Sequence, residues 1–270
     1  MAEGDERMFD RNTDKNTILL ALAIEDEKAE SSCSDADKAR LQELLNEVNA
    51  AVGTDFHYLS ELEHYAIRGI GEIVARHIYS FESETIRSYL IHQLTCNRVE
   101  NCGRLLYDLY MHFKASDEYI SRAGKPSPVH FYIRYDNEFR RLKPKRLKTE
   151  LYALVHNPRD AFYLPFTLEM VASWKIDGME ELLFSFLNGE AITDESVGGC
   201  PGYPHLKDKQ KQLMFRALGC LKYYPSDANR ALMQHYAESA NKDVQAAALK
   251  TLKYYDRPKR GKAAGLSPSK

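Results

Sequence analysis

The feature that most constrains this chain is a short segment that occurs twice near its end. Ala-Leu-Gly-Cys-Leu-Lys-Tyr-Tyr spans 217–224 and Ala-Leu-Lys-Thr-Leu-Lys-Tyr-Tyr spans 248–255, with six of the eight positions identical. In each copy the apolar residues recur at the spacing of one helix face. Between the copies, Pro225 stops the first helix, and Ser226 or Asp227 can cap the next one. The sequence therefore predicts a repeat made of a helix, a sharp turn and a second helix.

The offset between the two copies falls within the range of about 20–50 residues that is typical of repeat architectures. A repeat built from helix pairs indicates a stacked-helix array, because each pair has an apolar face that it cannot bury alone. We expect small residues in these helices to let neighbouring helices approach closely. They are Ala217, Gly219, Ala246, Ala247 and Ala248. The recurring large residues are predicted to fill the layers between pairs. They are Leu218, Leu221, Tyr224, Leu249, Leu252 and Tyr255.

The last of these helices carries a recognisable family pattern. The segment Asn241-Lys-Asp-Val-Gln-Ala-Ala-Ala-Leu-Lys-Thr-Leu resembles the second helix of a HEAT repeat, with Gln245 where that family usually has Arg. A weaker match begins at Glu84, with Arg87 at the Arg position. The chain is thus similar to the HEAT and armadillo-like families. The resemblance implies an all-α fold, a right-handed superhelix of helix pairs whose second helices form a concave binding face.

The predicted solenoid covers residues 36–256. A polar, partly flexible segment precedes it at 1–35, and a basic disordered tail follows at 257–270. Residues 129–135 alternate between apolar and polar, which fits a short β element as well as a helix. Residues 189–206 are rich in Gly and Pro, so we expect an insertion without regular helix there.

Composition narrows the function classes. The five cysteines form no Cys-x-x-Cys pair and the N-terminus lacks a signal-peptide pattern, which favours a cytoplasmic protein with reduced thiols. The longest apolar run, Ile18 to Ile24, is too short to cross a membrane. The sequence contains no P-loop and no nucleophile elbow, so we expect a protein that is not an enzyme and needs no cofactor or metal. We expect a monomer.

The leading hypothesis is a protein-binding module, either an adaptor, a scaffold or an immunity-type inhibitor. Polar residues on the second helices would contact the partner, and Tyr223 and Tyr254 would form an aromatic ridge, since tyrosine is enriched at interfaces. The residues predicted to bind the partner are Lys209, Gln212, Arg216, Tyr223, Lys242, Gln245, Lys250 and Tyr254.

The alternative hypothesis is nucleic-acid binding. Residues 134–148 carry seven basic and two acidic side chains, interleaved with Tyr135 and Phe139. Basic groups neutralise phosphates and aromatic rings stack on bases, so such a surface would resemble the HEAT-like DNA glycosylases. A solvated helix face explains the same pattern. The residues predicted for this alternative are Arg134, Arg140, Arg141, Lys143, Lys145 and Arg146.

Overall fold

The structure is a computed structural model that describes residues 33–64, 70–96, 101–114, 127–188 and 206–257. All regular structure in these ranges is helical, with twelve α-helices and a few 3₁₀ turns. The all-α prediction is confirmed. Within the same ranges, every helix is too short or too polar to cross a bilayer. The chain divides into two compact units, Met1–Phe113 and Lys114–Lys270.

The described residues of the first unit form four α-helices. They are α1 (Asp35–Val52), α2 (Ile70–His77), α3 (Glu84–Cys96) and α4 (Cys102–Lys114), whose last residue passes the unit boundary. Ser34 caps the start of α1, and Gly53, the residue after its end, has the left-handed conformation (φ 72°) that closes a helix. Helix α1 packs on α2, and α2 packs on α3.

A buried aspartate near the start of α1 binds the backbone at the start of α3. The Asp37 carboxylate accepts hydrogen bonds from the backbone N–H groups of Glu82 (2.9 Å) and Ser83 (2.6 Å), just before α3 begins. The Arg40 guanidinium lies 3.2 Å from the same carboxylate. The first helix thus caps the third, since helix starts leave N–H groups without intrahelical partners.

The described residues of the second unit form eight helices. They are α5 (Ser127–Leu142), α6 (Lys148–His156), α7 (Pro158–Tyr163), α8 (Pro165–Ser173), α9 (Met179–Leu187), α10 (Leu206–Cys220), α11 (Asp227–Ala237) and α12 (Lys242–Tyr255). Pro165 is the first residue of α8, a position where its missing N–H costs nothing. Ser226 caps α11, as predicted, and Asn241 caps α12.

The β element predicted as one alternative for residues 129–135 is wrong, because this segment lies inside α5. The burial that follows it has a helical period. Tyr135, Asp136, Glu138 and Phe139 are buried, while Asn137 and Arg140 are exposed. Over a window as short as residues 129–135, alternation of apolar and polar residues fits a helix as well as a strand.

Three helices of the second unit stack in chain order, with α10 between α8 and α12. The Tyr224 hydroxyl donates to the Ala172 carbonyl in the α8 layer (3.0 Å), and the Tyr255 hydroxyl donates to the Leu221 carbonyl (2.7 Å). Helix α9 packs against α10, and α11 against α12. Each of α10 and α12 thus has the preceding helix packed against it. The right-handed superhelix and the single solenoid over 36–256 stay predictions.

The predicted packing roles hold for some repeat residues and fail for others. Ala217, Leu218, Leu221 and Ala248 are buried, as predicted. Leu249 is 51% exposed, which contradicts its predicted core role. Leu252 is half-buried. The predicted segments 1–35, 189–206 and 257–270 lie almost entirely outside the described residues.

Candidate binding groove

A groove of about 520 Å³ crosses the stacked helices of the second unit. Each of the three helices contributes residues at positions i, i+1 and i+4, which lie on one helix face. The lining from α8 is Pro165, Phe166 and Glu169. The lining from α10 and the turn after it is Phe215, Arg216, Gly219, Cys220 and Lys222. The lining from α12 and its end is Ala246, Ala247, Lys250, Thr251, Tyr254 and Arg257.

The sequence repeat generates this surface directly. Four lining positions on α10 have a counterpart on α12 at the same place in the repeat, and each counterpart also lines the groove. The pairs are Phe215 with Ala246, Arg216 with Ala247, Gly219 with Lys250, and Cys220 with Thr251. Equivalent positions on stacked helices face the same side. The groove is therefore a property of the repeat and not of one helix.

The floor of the groove is made of small residues. A Cβ atom placed on Gly219 would meet no atom of the described residues within 4 Å, so none of the described helices packs closely against this position. The prediction that Gly219 serves close helix packing is therefore wrong. Ala246 and Ala247 also line the groove, unlike the buried Ala248. Small side chains at these positions give the groove its depth.

The charge of the groove is predominantly positive. Four cationic residues line it, and one carboxylate, Glu169, accompanies them. The cations are Arg216, Lys222, Lys250 and Arg257. Arg216 donates to the Phe162 carbonyl, and Lys222 is paired with Glu169. No hydrogen bond or ion pair within the described residues engages the exposed Lys250 ammonium.

Glu169 is held as a fixed anion. It pairs with the Lys222 ammonium and accepts a hydrogen bond from the Tyr223 hydroxyl (3.2 Å). Partial burial opposes ionisation, but the hydrogen bond and charge of Lys222 lower the pKa of Glu169 below its ordinary value. Burial also opposes the charge on Lys222, yet Glu169 raises the pKa of Lys222 overall. Both directions favour the ionised pair. A carboxylate held in this way is unsuited to general-base chemistry near neutral pH.

Two exposed aromatic rings flank the groove, each with a cation on one face. Phe166 is 37% exposed, and the Arg140 guanidinium lies 4.4 Å from its ring centre. Tyr254 is 38% exposed, and the Arg257 guanidinium lies 5.5 Å from its ring centre. Tyr223 contacts Tyr254 edge to face, with the ring centres 6.2 Å apart. The structure thus brings the two tyrosines of the predicted ridge together.

The position of Phe166 depends on a buried aspartate of α5. The Asp136 carboxylate accepts from the N–H groups of Phe166 (2.9 Å) and Thr167 (2.7 Å), and from the Thr167 hydroxyl (2.7 Å). These bonds cap the start of α8, where the side chain of Leu164 makes no cap. Burial raises the pKa of Asp136 to about 6, although the three hydrogen bonds and the charge of Arg216 lower it.

The predicted partner-binding residues divide into two groups. Arg216, Lys250 and Tyr254 line the groove, and Tyr223 lies beside it. Gln212, Lys242 and Gln245 do not line it. Gln245 donates to the Ala237 carbonyl of α11 (2.9 Å), so its side chain is turned toward the helix partner. Gln212 is half-buried and Lys242 is exposed. The side chain of Lys209 lies outside the described residues.

The residues predicted to bind nucleic acid are spread over α5 and the turn after it. Arg140 reaches Phe166 at the groove, whereas Arg141 pairs with Glu138 (2.7 Å). Lys143 has a left-handed backbone (φ 46°) and is exposed. Lys145 and Arg146 are exposed in the following 3₁₀ turn, and Arg134 is half-buried. Of this set, Arg140 is thus seen to contact a residue that lines the groove.

Sequence reasoning missed several groove residues, although a signal for some of them was present. Phe215 and Gly219 occupy the same places in the first copy of the repeat as Ala246 and Lys250 in the second, so the repeat register could have placed them on one face. Phe166, Glu169 and Arg257 carry no such signal. Their contribution depends on how α8 and the end of α12 pack around α10.

Comparison of the chain with family models, with curated proteins and with solved structures finds no match. Within the described residues, no three His, Cys, Asp or Glu side chains lie close enough together to hold a metal ion. The groove itself therefore carries the functional argument.

Proposed function

We propose that this protein is a non-enzymatic, HEAT-like binding module and that the groove across α8, α10 and α12 is its site for a protein partner. The observation that carries the proposal is the open space above Gly219. Glycine inside a helix costs about 0.5–1 kcal/mol relative to alanine. Packing of the described residues gives no reason for that cost here, whereas a bound side chain does.

The composition of the groove supports a protein partner. Its floor is made of small and apolar residues, its flanks carry Phe166 and Tyr254, and its cations lie around them. Aromatic and arginine anchors beside an apolar centre are typical of residues that dominate binding energy at protein interfaces. Among the described residues, the one carboxylate that lines the groove, Glu169, is paired with Lys222.

The experiment is affinity capture from native lysate with the full chain and two variants, each with and without nuclease. Gly219→Phe adds a ring inside the groove, where the backbone leaves space for it. Ala231→Phe adds the same ring at an exposed position of α11 that does not line the groove. We expect a protein that survives nuclease, is retained by Ala231→Phe and is lost with Gly219→Phe. Equal capture by all three chains would refute the proposal.

A second candidate function is nucleic-acid binding, favoured by the contact between Arg140 and Phe166 that joins the basic segment to the groove. It predicts binding that weakens steeply with added salt. Fluorescence anisotropy with labelled single-stranded and duplex oligonucleotides measures this directly. A large loss in the triple variant Arg140→Ala, Arg141→Ala, Lys145→Ala would support it, and no binding at low salt would exclude it.

A further inference from the structure

We infer that Asp136 is a positioning residue of the groove: its ionised carboxylate holds Phe166 in the groove wall, and a proton on this carboxyl loosens the wall. This inference rests on the proposed function, because it concerns how the same groove is controlled. Three observations carry it: the hydrogen bonds that the carboxylate accepts, the contact of the same helix with the Phe166 ring, and the burial of the carboxyl group.

The Asp136 carboxylate holds the first turn of α8 by its backbone. One oxygen, Oδ2, accepts from the Phe166 N–H, and the other, Oδ1, accepts from both the N–H and the hydroxyl of Thr167. Pro165 before them has no N–H, and the Leu164 side chain makes no cap. Asp136 thus supplies the capping bonds that usually come from the residue just before a helix.

The helix that carries Asp136 also contacts the Phe166 ring. Arg140 lies one turn after Asp136 on α5, and its guanidinium is 4.4 Å from the centre of that ring. The ring is 37% exposed and lines the groove. Helix α5 therefore holds Phe166 both at its backbone and at its ring, so a movement of the first turn of α8 changes the groove wall.

Burial brings the titration of this carboxyl into the mildly acidic range. Asp136 is 2% exposed, and burial raises its pKa from 3.8 to about 6. The bonds from Phe166 and Thr167 and the charge of Arg216 on α10 oppose this rise, because they favour the ionised form. The carboxyl is therefore mostly ionised at neutral pH and mostly protonated at pH 5.

Helices α7 and α8 both pack on α5. The titratable and charged groups that they carry are Arg159, Asp160 and Tyr163 on α7 and Glu169 on α8. Asp160 is paired with Lys114, and Glu169 is paired with Lys222. The lowered pKa of Glu169 keeps this second groove carboxylate ionised over the range in which Asp136 titrates.

A proton on Asp136 weakens its hold on α8. Hydrogen bonds to an ionised acceptor are roughly twice as strong as bonds between neutral groups. A protonated carboxyl also carries an O–H donor on one of its oxygens, each of which now accepts from Phe166 or Thr167. The groove wall formed by Phe166 is therefore fixed at neutral pH and loosened in mild acid.

The test is a pH titration of the full-length protein by NMR, without any partner. The amide proton shifts of Phe166 and Thr167 report the bonds to Asp136, and the solvent isotope shift of a fluorine label on the Phe166 ring reports the exposure of that ring. We expect both amide protons to move upfield as pH falls, with a shared midpoint near pH 6. The exposure of the ring should increase over the same range. The amide of Val244 donates to the Asn241 side chain, which does not ionise, so it should show no such midpoint.

Two variants assign the titration to this carboxyl. Asp136→Asn keeps the shape of the side chain but cannot ionise, so the shared midpoint should disappear. Thr167→Val keeps the carboxyl and removes one hydrogen bond that favours its ionised form, so the midpoint should rise by at least about 0.3 pH unit. A midpoint that persists in the first variant or falls in the second would overturn the inference.

The titration of the parent can also refute the inference by itself. A shared midpoint near pH 4, or none between pH 4 and pH 8, would show that burial does not bring this carboxyl into the mildly acidic range. Amide shifts that titrate while the exposure of the Phe166 ring stays constant would show that Asp136 caps α8 without acting on the groove. Neither result bears on the proposed function, which fails instead on equal capture by the parent, Gly219→Phe and Ala231→Phe.

Discussion

Residues 217–224 and 248–255 have almost the same sequence but different surroundings. Leu218 is fully buried, whereas its counterpart Leu249 is 51% exposed. Helix α12 covers Leu218, and the Thr251 hydroxyl bonds to its carbonyl. No described helix follows α12 to cover Leu249 in the same way. Burial of a residue in these segments therefore depends on the neighbouring helix in the stack as much as on the local sequence.

Other features of the two copies are the same. Tyr224 and Tyr255 are both half-buried, and each donates its hydroxyl to a carbonyl of the preceding layer. Burial raises the pKa of each of these tyrosines to about 12. Tyr223 and Tyr254 meet edge to face beside the groove. The hydrogen bonds to the preceding helix layer are thus shared by the two copies. Burial that requires a following helix is not shared.

The largest expected effect tests this asymmetry. Leu218→Ala should lower the free energy of unfolding by about 3 kcal/mol, because it leaves a cavity in a buried layer. Leu249→Ala should change it by less than about 0.5 kcal/mol, since the side chain is already half in water. Urea unfolding followed by fluorescence of Trp174, the single tryptophan, reports on the second unit. Equal losses in the two variants would contradict the comparison.

The stacked helices also differ in how their first residues are capped. Helix α12 is capped by its own Asn241, but α8 is capped by Asp136 from another helix. The pKa of Asp136 is raised from 3.8 to about 6, so the folded protein binds this proton more tightly than the unfolded chain does. The stabilisation from this group is therefore complete below about pH 4 and is lost as pH rises through 6.

We expect the difference in unfolding free energy between the parent and Asp136→Asn to fall by on the order of 2–3 kcal/mol between pH 4 and pH 7. Urea titrations at pH 4, 5, 6 and 7 measure it, because other titrating groups cancel in the difference. The matched control is Asn241→Asp, which places a carboxylate at the partly exposed cap of α12. A difference for Asp136→Asn that stays constant or rises with pH would show that burial does not govern this carboxyl.

The tyrosine hydrogen bonds should respond equally in the two copies. Tyr224→Phe and Tyr255→Phe should each lower the unfolding free energy by about 1 kcal/mol, because each removes one hydroxyl bond to a backbone carbonyl. The same urea measurement at pH 7 applies. A loss in only one of the two variants would mean that the layers are not equivalent.

The smallest expected effect has the opposite sign. Gly219→Ala should raise the unfolding free energy by about 0.5–1 kcal/mol, since alanine favours the helix and its Cβ meets no atom. Gly178→Ala is the control. Its backbone is left-handed (φ 80°), and a Cβ there would lie 2.8 Å from the Tyr152 hydroxyl oxygen, so it should destabilise. If Gly219→Ala also destabilises the protein, the glycine serves the fold and not the groove.

The sequence by itself determined the helical character, the turn and caps around Pro225 and Asn241, and the register of the repeat. These are local properties, because capping bonds and helical periodicity involve residues within a few positions of each other. Part of the site followed from the same register. Arg216 and Lys250 line the groove, and Tyr223 and Tyr254 meet beside it.

The tertiary structure alone decided which side of each helix stays open. Gln245 and Lys250 are equally polar in sequence, yet Gln245 turns to α11 and Lys250 lines the groove. The sequence around Gly219 does not show whether this glycine lies on the open floor of a groove or at a close contact between helices. The position of Phe166 depends on the carboxylate of Asp136, which belongs to a different helix. Such features depend on the rotation of each helix against its neighbours, and that rotation is set by contacts between residues distant in the chain.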